Sequence, residues 1–249
     1  MDEFSTFSVL AETYRVLGRS FGAFLRRAAA PILIMAAAIF LAFQSGPQTA
    51  SAEIVAIAAT AVFAILSLAH FAVGWHRYVL RPQIEPAAGA ARLALSLAYL
   101  ATGLSIIVGF LIPLIGAALI VVMLGATAIA PSLTAAGFLC LAISGKLALA
   151  LPAAAIGRRH PLRLGRSLSS GLAPQLLLLL LLTAAPFLLG AGALALLAAA
   201  IDPPPILMAI LTGGMALLIL AGAATAAAGL SFAFRWRAKL QDSSWWRHH

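Results

Sequence analysis

The longest feature in the hydropathy pattern is residues 93–156, more than sixty positions interrupted by a single charge, Lys146. A stretch of this kind is suited to a bilayer, where crossing about 30 Å of hydrocarbon takes about 20 apolar helical residues. Two long crossings or three short ones would fit. The polar flanks decide between them. His76, Arg77, Arg81 and Arg92 precede the stretch, and Arg158, Arg159, Arg163 and Arg166 follow it. Lys and Arg collect on cytoplasmic loops because their translocation is unfavourable, so both flanks belong on one side and the number of crossings is even. Two spans are predicted: 94–124, kinked or broken at Pro113, and 133–156. The turn falls at 125–132, where Pro131 cannot donate a helical hydrogen bond.

The remaining chain follows the same alternation. Phe4, Phe7, Leu10, Tyr14, Leu17, Phe21 and Phe24/Leu25 recur at three- and four-residue steps, with Glu12, Arg15, Arg19 and Ser20 opposite. That spacing predicts an amphipathic helix within 1–27, with Asp2 as its cap and with Arg15 and Arg19 suited to lipid headgroups. The first span is 28–44, with Pro31 in its first turn. Gln44-Ser45-Gly46-Pro47-Gln48-Thr49 is a polar turn without a base, hence external. Glu53 opens the second span, 53–74, where a carboxylate suits the helix dipole. Trp75, His76 and Arg77 close it as interface anchors. A second interface helix is expected over 162–170, with Leu164, Leu168 and Leu172 on one face and Arg163, Arg166 and Ser167 on the other. The fifth span, 174–199, has Pro186 as a kink. Asp202-Pro203-Pro204-Pro205 turns outside, and the sixth span, 206–232, is closed by Arg235-Trp236-Arg237. The tail, 233–249, carries Trp245-Trp246-Arg247.

The expected fold is therefore an all-α polytopic membrane protein, a single domain over 1–249. Six transmembrane helices form three hairpins, accompanied by amphipathic interface helices, with both ends cytoplasmic. A faint repeat supports the hairpin scheme: Leu17-Gly18-Arg19-Ser20 before the first span recurs as Leu164-Gly165-Arg166-Ser167 before the fifth.

Composition agrees. Of the residues, 63% are hydrophobic and 9% charged, against about 25% charged in soluble domains. The net charge of +9 would suggest nucleic acid in a soluble chain. Here fifteen of the sixteen Lys and Arg fall in segments assigned to the cytoplasm, and the other is Lys146. The basic excess is thus a topology signal, strengthened by anionic lipid headgroups, and no nucleic-acid partner is expected. Cys140 is the single cysteine. Residues 2–27 are mixed and amphipathic rather than basic and then apolar, so no cleavable signal is expected.

Candidate chemistry is sparse. Lys146 lies about ten residues before the inner end of its predicted span, roughly 15 Å deep at 1.5 Å per residue. An intramembrane cation costs about 3 kcal/mol on insertion scales and marks a functional candidate. Its alternatives are an interior position bonded to carbonyls or to Ser144, a lipid or partner contact, or transport. Pro152 frees the carbonyl of Ala148 nearby. His70, one turn from the end of the second span, fits an interhelical hydrogen bond better than a ligand role. Headgroup contacts are expected from Arg15, Arg19, Trp75, Arg77, Arg158, Arg159, Arg163, Arg166, Arg235, Trp236 and Arg237. No spacing among the five His fits a metal site, and no cofactor is expected. Carboxylates near the spans, Glu53 and Asp202, sit at the outer interface, whereas proton-coupled transporters keep them within the bilayer. Small residues at Gly190-Ala191-Gly192, Gly213-Gly214, Gly222, Thr225 and Gly229 suit close helix packing or a partner's helix.

Three stretches carry a resemblance: the basic amphipathic leading helix, Gly74-Trp75-His76-Arg77-Tyr78-Val79-Leu80, and Lys146-Leu147-Ala148-Leu149-Ala150-Leu151-Pro152-Ala153. They are similar to the membrane domain attached to some glycerophosphodiester phosphodiesterases. More closely, they resemble stand-alone six-span inner-membrane proteins of alphaproteobacteria. The resemblance covers most of the chain and implies a six-span fold in the bacterial inner membrane. That family often has Arg where this chain has Lys146, which keeps the cation and changes its geometry. No phosphodiesterase domain is present, so that activity is not implied. The expected function is non-enzymatic: an accessory or assembly subunit, or a scaffold, whose partners are membrane lipids and other integral membrane proteins. The alternative is a small transporter or permease-like component, and an intramembrane lipid enzyme stands third.

Overall fold

The computed structural model describes residues 4–44, 51–80, 89–124, 129–201 and 203–241. The expectations for Asp2, the 45–49 turn, Asp202 and Trp245-Trp246-Arg247 lie outside these residues, as does the first half of the turn expected at 125–132; its second half, 129–132, is helical instead. Every regular element among the described residues is a helix: α1 (Thr6–Arg19), α2 (Phe21–Gln44), α3 (Ser51–Leu80), α4 (Gly89–Leu124), α5 (Ile129–Leu147), α6 (Ala150–Ala155), α7 (Pro161–Leu168), α8 (Ala173–Ile201) and α9 (Pro205–Gln241). Four of them contain stretches long and apolar enough to cross a membrane: Phe21–Leu41, Gly89–Leu124, Ala173–Ile201 and Pro205–Lys239. Pro131–Leu147 is a shorter apolar helix.

The helices differ from the sequence expectation at four further places. The amphipathic helix expected within 1–27 stops at Arg19. Ser5 caps its start by accepting from the Ser8 N–H at 3.3 Å, a role short hydroxylated side chains fill well. Ser20 forms a turn, and residues 21–27 belong to α2. Pro31 therefore sits inside α2 rather than in a first turn. At Pro113, where a kink or a break is expected from the sequence, there is no break: α4 is one helix through it. The span expected over 133–156 is interrupted at Ala148–Leu149, where Pro152 lacks the N–H that would reach the Ala148 carbonyl. Finally, α9 does not close at Arg235-Trp236-Arg237 but continues to Gln241. Helix α7 is entered through Gly157 at φ 75° and His160 at φ 52°, a left-handed conformation uncommon for a residue with a side chain.

Helix α9 is the hub. It contacts α1, α2, α3, α6, α7 and α8, and its alanines make this possible. Ala216, Ala221, Ala224, Ala227 and Ala228 join Leu220 in one core cluster with Phe24, Ala28 and Met35 of α2 and Phe71, Trp75 and Val79 of α3. A second cluster joins Leu230, Ala233 and Phe234 of α9 to Leu176 and Leu179 of α8, Leu168 of α7 and Leu149. A third, around Met208, Leu211, Met215 and Ala198, closes the opposite end. Lipid tails are as apolar as these side chains, so close packing and interhelical hydrogen bonds hold such helices together in a bilayer. The α8–α9 seam uses both. Leu218 packs over Gly190, Leu194 over Gly214, Phe187 over Gly222 and Leu179 over Gly229. The Thr225 hydroxyl donates to the Thr183 carbonyl at 2.8 Å.

The α4–α5 pair forms its own seam, with Ile143 against Gly109 and the Cys140 thiol 3.8 Å from the Phe110 carbonyl. Helix α1 crosses α8 and α9. Phe4 meets Trp236 at 5.1 Å between ring centres, and the Tyr14 hydroxyl donates to the Leu182 carbonyl at 2.9 Å. Burial there pushes the Tyr14 phenol up, in keeping with a donor that keeps its proton. Leu10, Leu17 and Phe24 pack inward, while Phe7, Phe21 and Leu25 stay exposed.

Candidate functional site

The contacts of the last turns of α3 gather bases from four helices. Arg27 of α2 lies over the Tyr78 ring, 4.6 Å from guanidinium carbon to ring centre. Arg92 of α4 reaches across α3 so closely that a Cβ on Gly74 would stand 2.9 Å from its Nη2. Arg77 lies in the turn between these two contacts, and both Arg27 and Arg77 are near enough to repel Arg92 electrostatically. Arg235 of α9 donates to the Val79 carbonyl, and Arg237 to the Ser170 carbonyl at 2.8 Å. One end of the bundle is therefore a basic rim. Among the described residues the ion pair is Arg15 with Glu12, exposed on α1, and such surface pairs contribute little.

The sequence-selected residues divide clearly. Arg15, Arg19, Arg159, Arg163 and Arg166 are exposed, as headgroup contacts require, and Arg77, Arg158, Arg235, Trp236 and Arg237 are partly buried at the rim. Trp75 departs from expectation. It is fully buried, with Phe24, Phe71 and Tyr78 as ring neighbours at 6.0, 6.2 and 5.3 Å. The alanine face of α9 lets α3 come close enough to enclose it. His76 is likewise buried rather than an interface anchor.

Lys146 is the second departure. It is exposed, in the last turn of α5, and the Ser144 hydroxyl bonds to the Cys140 carbonyl at 2.9 Å. The neighbouring Gly145 abuts Ala173, the first residue of α8; a Cβ there would be 2.7 Å from the Ala173 carbonyl oxygen. The break at Ala148–Leu149 thus brings Lys146 level with the start of α8, at the rim.

Two polar networks tie the rim to the bundle. Ser231 donates to the Ala227 carbonyl at 2.8 Å, so its oxygen is left to accept from His76 Nδ1, also at 2.8 Å. His76 Nε2 is then the acceptor for the Tyr99 hydroxyl, 3.4 Å away. This neutral-imidazole assignment follows from the hydrogen-bond pattern. In the second network Ser96 donates to the Arg92 carbonyl at 3.0 Å and faces His70 Nδ1 at 3.3 Å. His70 makes the interhelical contact its position suggested.

Two cavities adjoin these networks. A groove of about 260 Å³ lies over α3, between α2 and α4, lined by Ala30 and Pro31, by Phe63, Leu66, Ser67 and His70, and by Leu93, Ser96 and Leu97. A crevice of about 260 Å³ lies between α3, α4 and α9, with His76 and Tyr99 among largely apolar walls. Sequence reasoning missed Arg27, Ser96, Tyr99 and Arg92 as site residues. Tyr99 and Ser96 stood out as polar positions in an apolar run. Arg27 and Arg92 stood at span ends, where a topology role was explanation enough.

Among the described residues no three His, Cys, Asp or Glu stand together as a metal site. The fold and the rim define an all-helical protein with apolar helices suited to a membrane. Comparison of the chain with protein-family models, curated proteins and solved structures yields no match.

Proposed function

We propose that the chain crosses the bacterial inner membrane six times, with both ends on the cytoplasmic side, and that it acts by binding. In this reading it is an accessory or assembly subunit, or a scaffold, for a larger membrane complex or for lipids. To the four long apolar helices the reading adds α3, 30 residues long, and α5 continued by α6. The basic rim supports the orientation, since Arg27, Arg77, Arg92, Arg235 and Arg237 all belong to one end. The resemblance to six-span inner-membrane proteins points the same way.

One observation carries the binding role. Helix α4 spans 36 residues, yet Leu104, Ile107, Leu111, Ile115 and Leu119 are all exposed. The contacts joining the α4–α5 hairpin to the body, Arg92 over Gly74, Ser96 with His70, Tyr99 with His76 and Gly145 on Ala173, fall at its basic end. The rest of the hairpin offers apolar surface to lipid or to a partner's helices. The transporter reading draws its support from Lys146, whose side chain is exposed in the last turn of α5 rather than enclosed among helices.

Mass spectrometry of the native complex, taken from its own membrane in mild detergent, tests this. A stoichiometric protein partner, lost on Leu111→Arg, is expected for an accessory subunit, and an enriched lipid for a lipid scaffold. A protein that carries neither would sink the reading.

A further inference from the structure

We infer that the groove between α2 and α4, together with Arg27 and Arg92 at its basic end, is a binding site for an anionic phospholipid. The inference rests on the membrane placement proposed above and requires no protein partner.

The geometry supplies two adjoining halves of different chemistry. The groove is open along its length and mostly apolar, with Phe63, Leu66, Leu93 and Leu97 as its hydrocarbon lining, which suits an acyl chain. Its polar lining, Ser67, His70 and Ser96, belongs to the same turns that lead to the rim. Arg27 stands one helical turn before Pro31, and Arg92 directly precedes Leu93. Both guanidiniums bear on one short stretch of α3, Arg92 at Gly74 and Arg27 at Tyr78, with Arg77 between them. The lack of a side chain at Gly74 leaves room for this approach; a Cβ there would make the tip of the Arg92 guanidinium shift. Arg27 and Arg92 are near enough to repel each other, and a phosphodiester would relieve that repulsion while accepting several N–H bonds at once. Among the described residues, no carboxylate pairs with Arg27 or Arg92. A zwitterionic lipid would carry its own cation into this cluster and bind less well. The occupant is therefore a lipid with net negative charge, its phosphate at the rim and one chain along the groove.

The test uses full-length protein in a neutral detergent, titrated with short-chain phosphatidylglycerol, phosphatidylcholine of the same chain length, and inorganic phosphate, with thermal unfolding as the readout. Phosphatidylglycerol should raise the unfolding temperature at concentrations where the other two do not. Arg27→Gln with Arg92→Gln should weaken half-saturation about 30-fold, at roughly a factor of five for each cation near the membrane surface. Leu97→Trp fills the groove from an exposed position and leaves the charges in place; it should also abolish the response. Lys239→Gln, exposed near the end of α9 and outside the groove, should change nothing.

Equal responses to phosphatidylglycerol and phosphatidylcholine would overturn the site, as would a full response to phosphate alone. So would Leu97→Trp protein that folds and still responds. These failures leave the membrane placement standing, whereas a chain that stays monomeric and folded without detergent would overturn the placement itself.

Discussion

The imidazole of His76 and the hydroxyl of Ser231 lie 2.8 Å apart, both fully buried, joining helices whose residues are 155 positions apart in sequence. Ser231 already donates to its own helix, so it serves His76 as an acceptor. Ser231→Ala should leave a buried imidazole N–H unsatisfied and destabilise the protein by about 1–3 kcal/mol. In a His76→Phe background the same change should cost less than half as much. A double-mutant cycle read by unfolding in detergent checks this, and additive effects would rule the bond out as a contributor.

The two copies of the Leu-Gly-Arg-Ser motif should respond in opposite directions to the same substitution. A Cβ on Gly165 would lie 2.4 Å from the Ala150 backbone nitrogen, whereas one on Gly18 meets nothing within 4 Å. Gly165→Ala should therefore destabilise by about 1–3 kcal/mol through overpacking. Gly18→Ala, inside α1, should stabilise by about 0.5–1 kcal/mol. Comparing unfolding temperatures decides it; equal shifts would mean that the motif plays one structural role twice.

Lys146 at the rim should be within reach of water. With Cys140 replaced by Ala, Lys146→Cys is expected to react with a membrane-impermeant maleimide added from the cytoplasmic side, and to change stability by no more than about 0.5 kcal/mol. Protection from the reagent would return Lys146 to the bilayer interior and restore the transporter reading.

Reporter fusions at Gln48, Ser132 and Asp202 should all signal the outer compartment, and a fusion after Lys239 the cytoplasm. A single reversed signal would break the even-crossing scheme.

Much of the helical order was legible from hydropathy and Pro positions alone, because helix length and loop polarity are local properties. The exceptions are all non-local. An interruption at Ala148–Leu149 is only half written in Pro152; the rest is the crossing of α6 and α7, where Ala150 meets Gly165. Trp75 and His76 had the sequence appearance of a headgroup pair, because an amphipathic aromatic beside a ring nitrogen suits that site equally well. What buries them is the run of alanines in α9, distant in sequence. The rim was foreseen as a charge count but not as a cluster, since convergence on Gly74 and Tyr78 depends on how α2 and α4 flank α3.

The central place of α9 has a consequence for how the protein is made. More than a hundred residues separate the end of α3 at Leu80 from the start of α9 at Pro205, roughly 10 s of synthesis at ordinary elongation rates. Through that interval α2 and α3 are in place without the alanine face that completes their core, and Trp75, Phe24 and His76 must wait among lipid or other proteins. Assembly is thus timed by the last of the described helices to emerge, and a chain stopped before Pro205 is left with its largest buried side chains uncovered, a ready signal for membrane quality control.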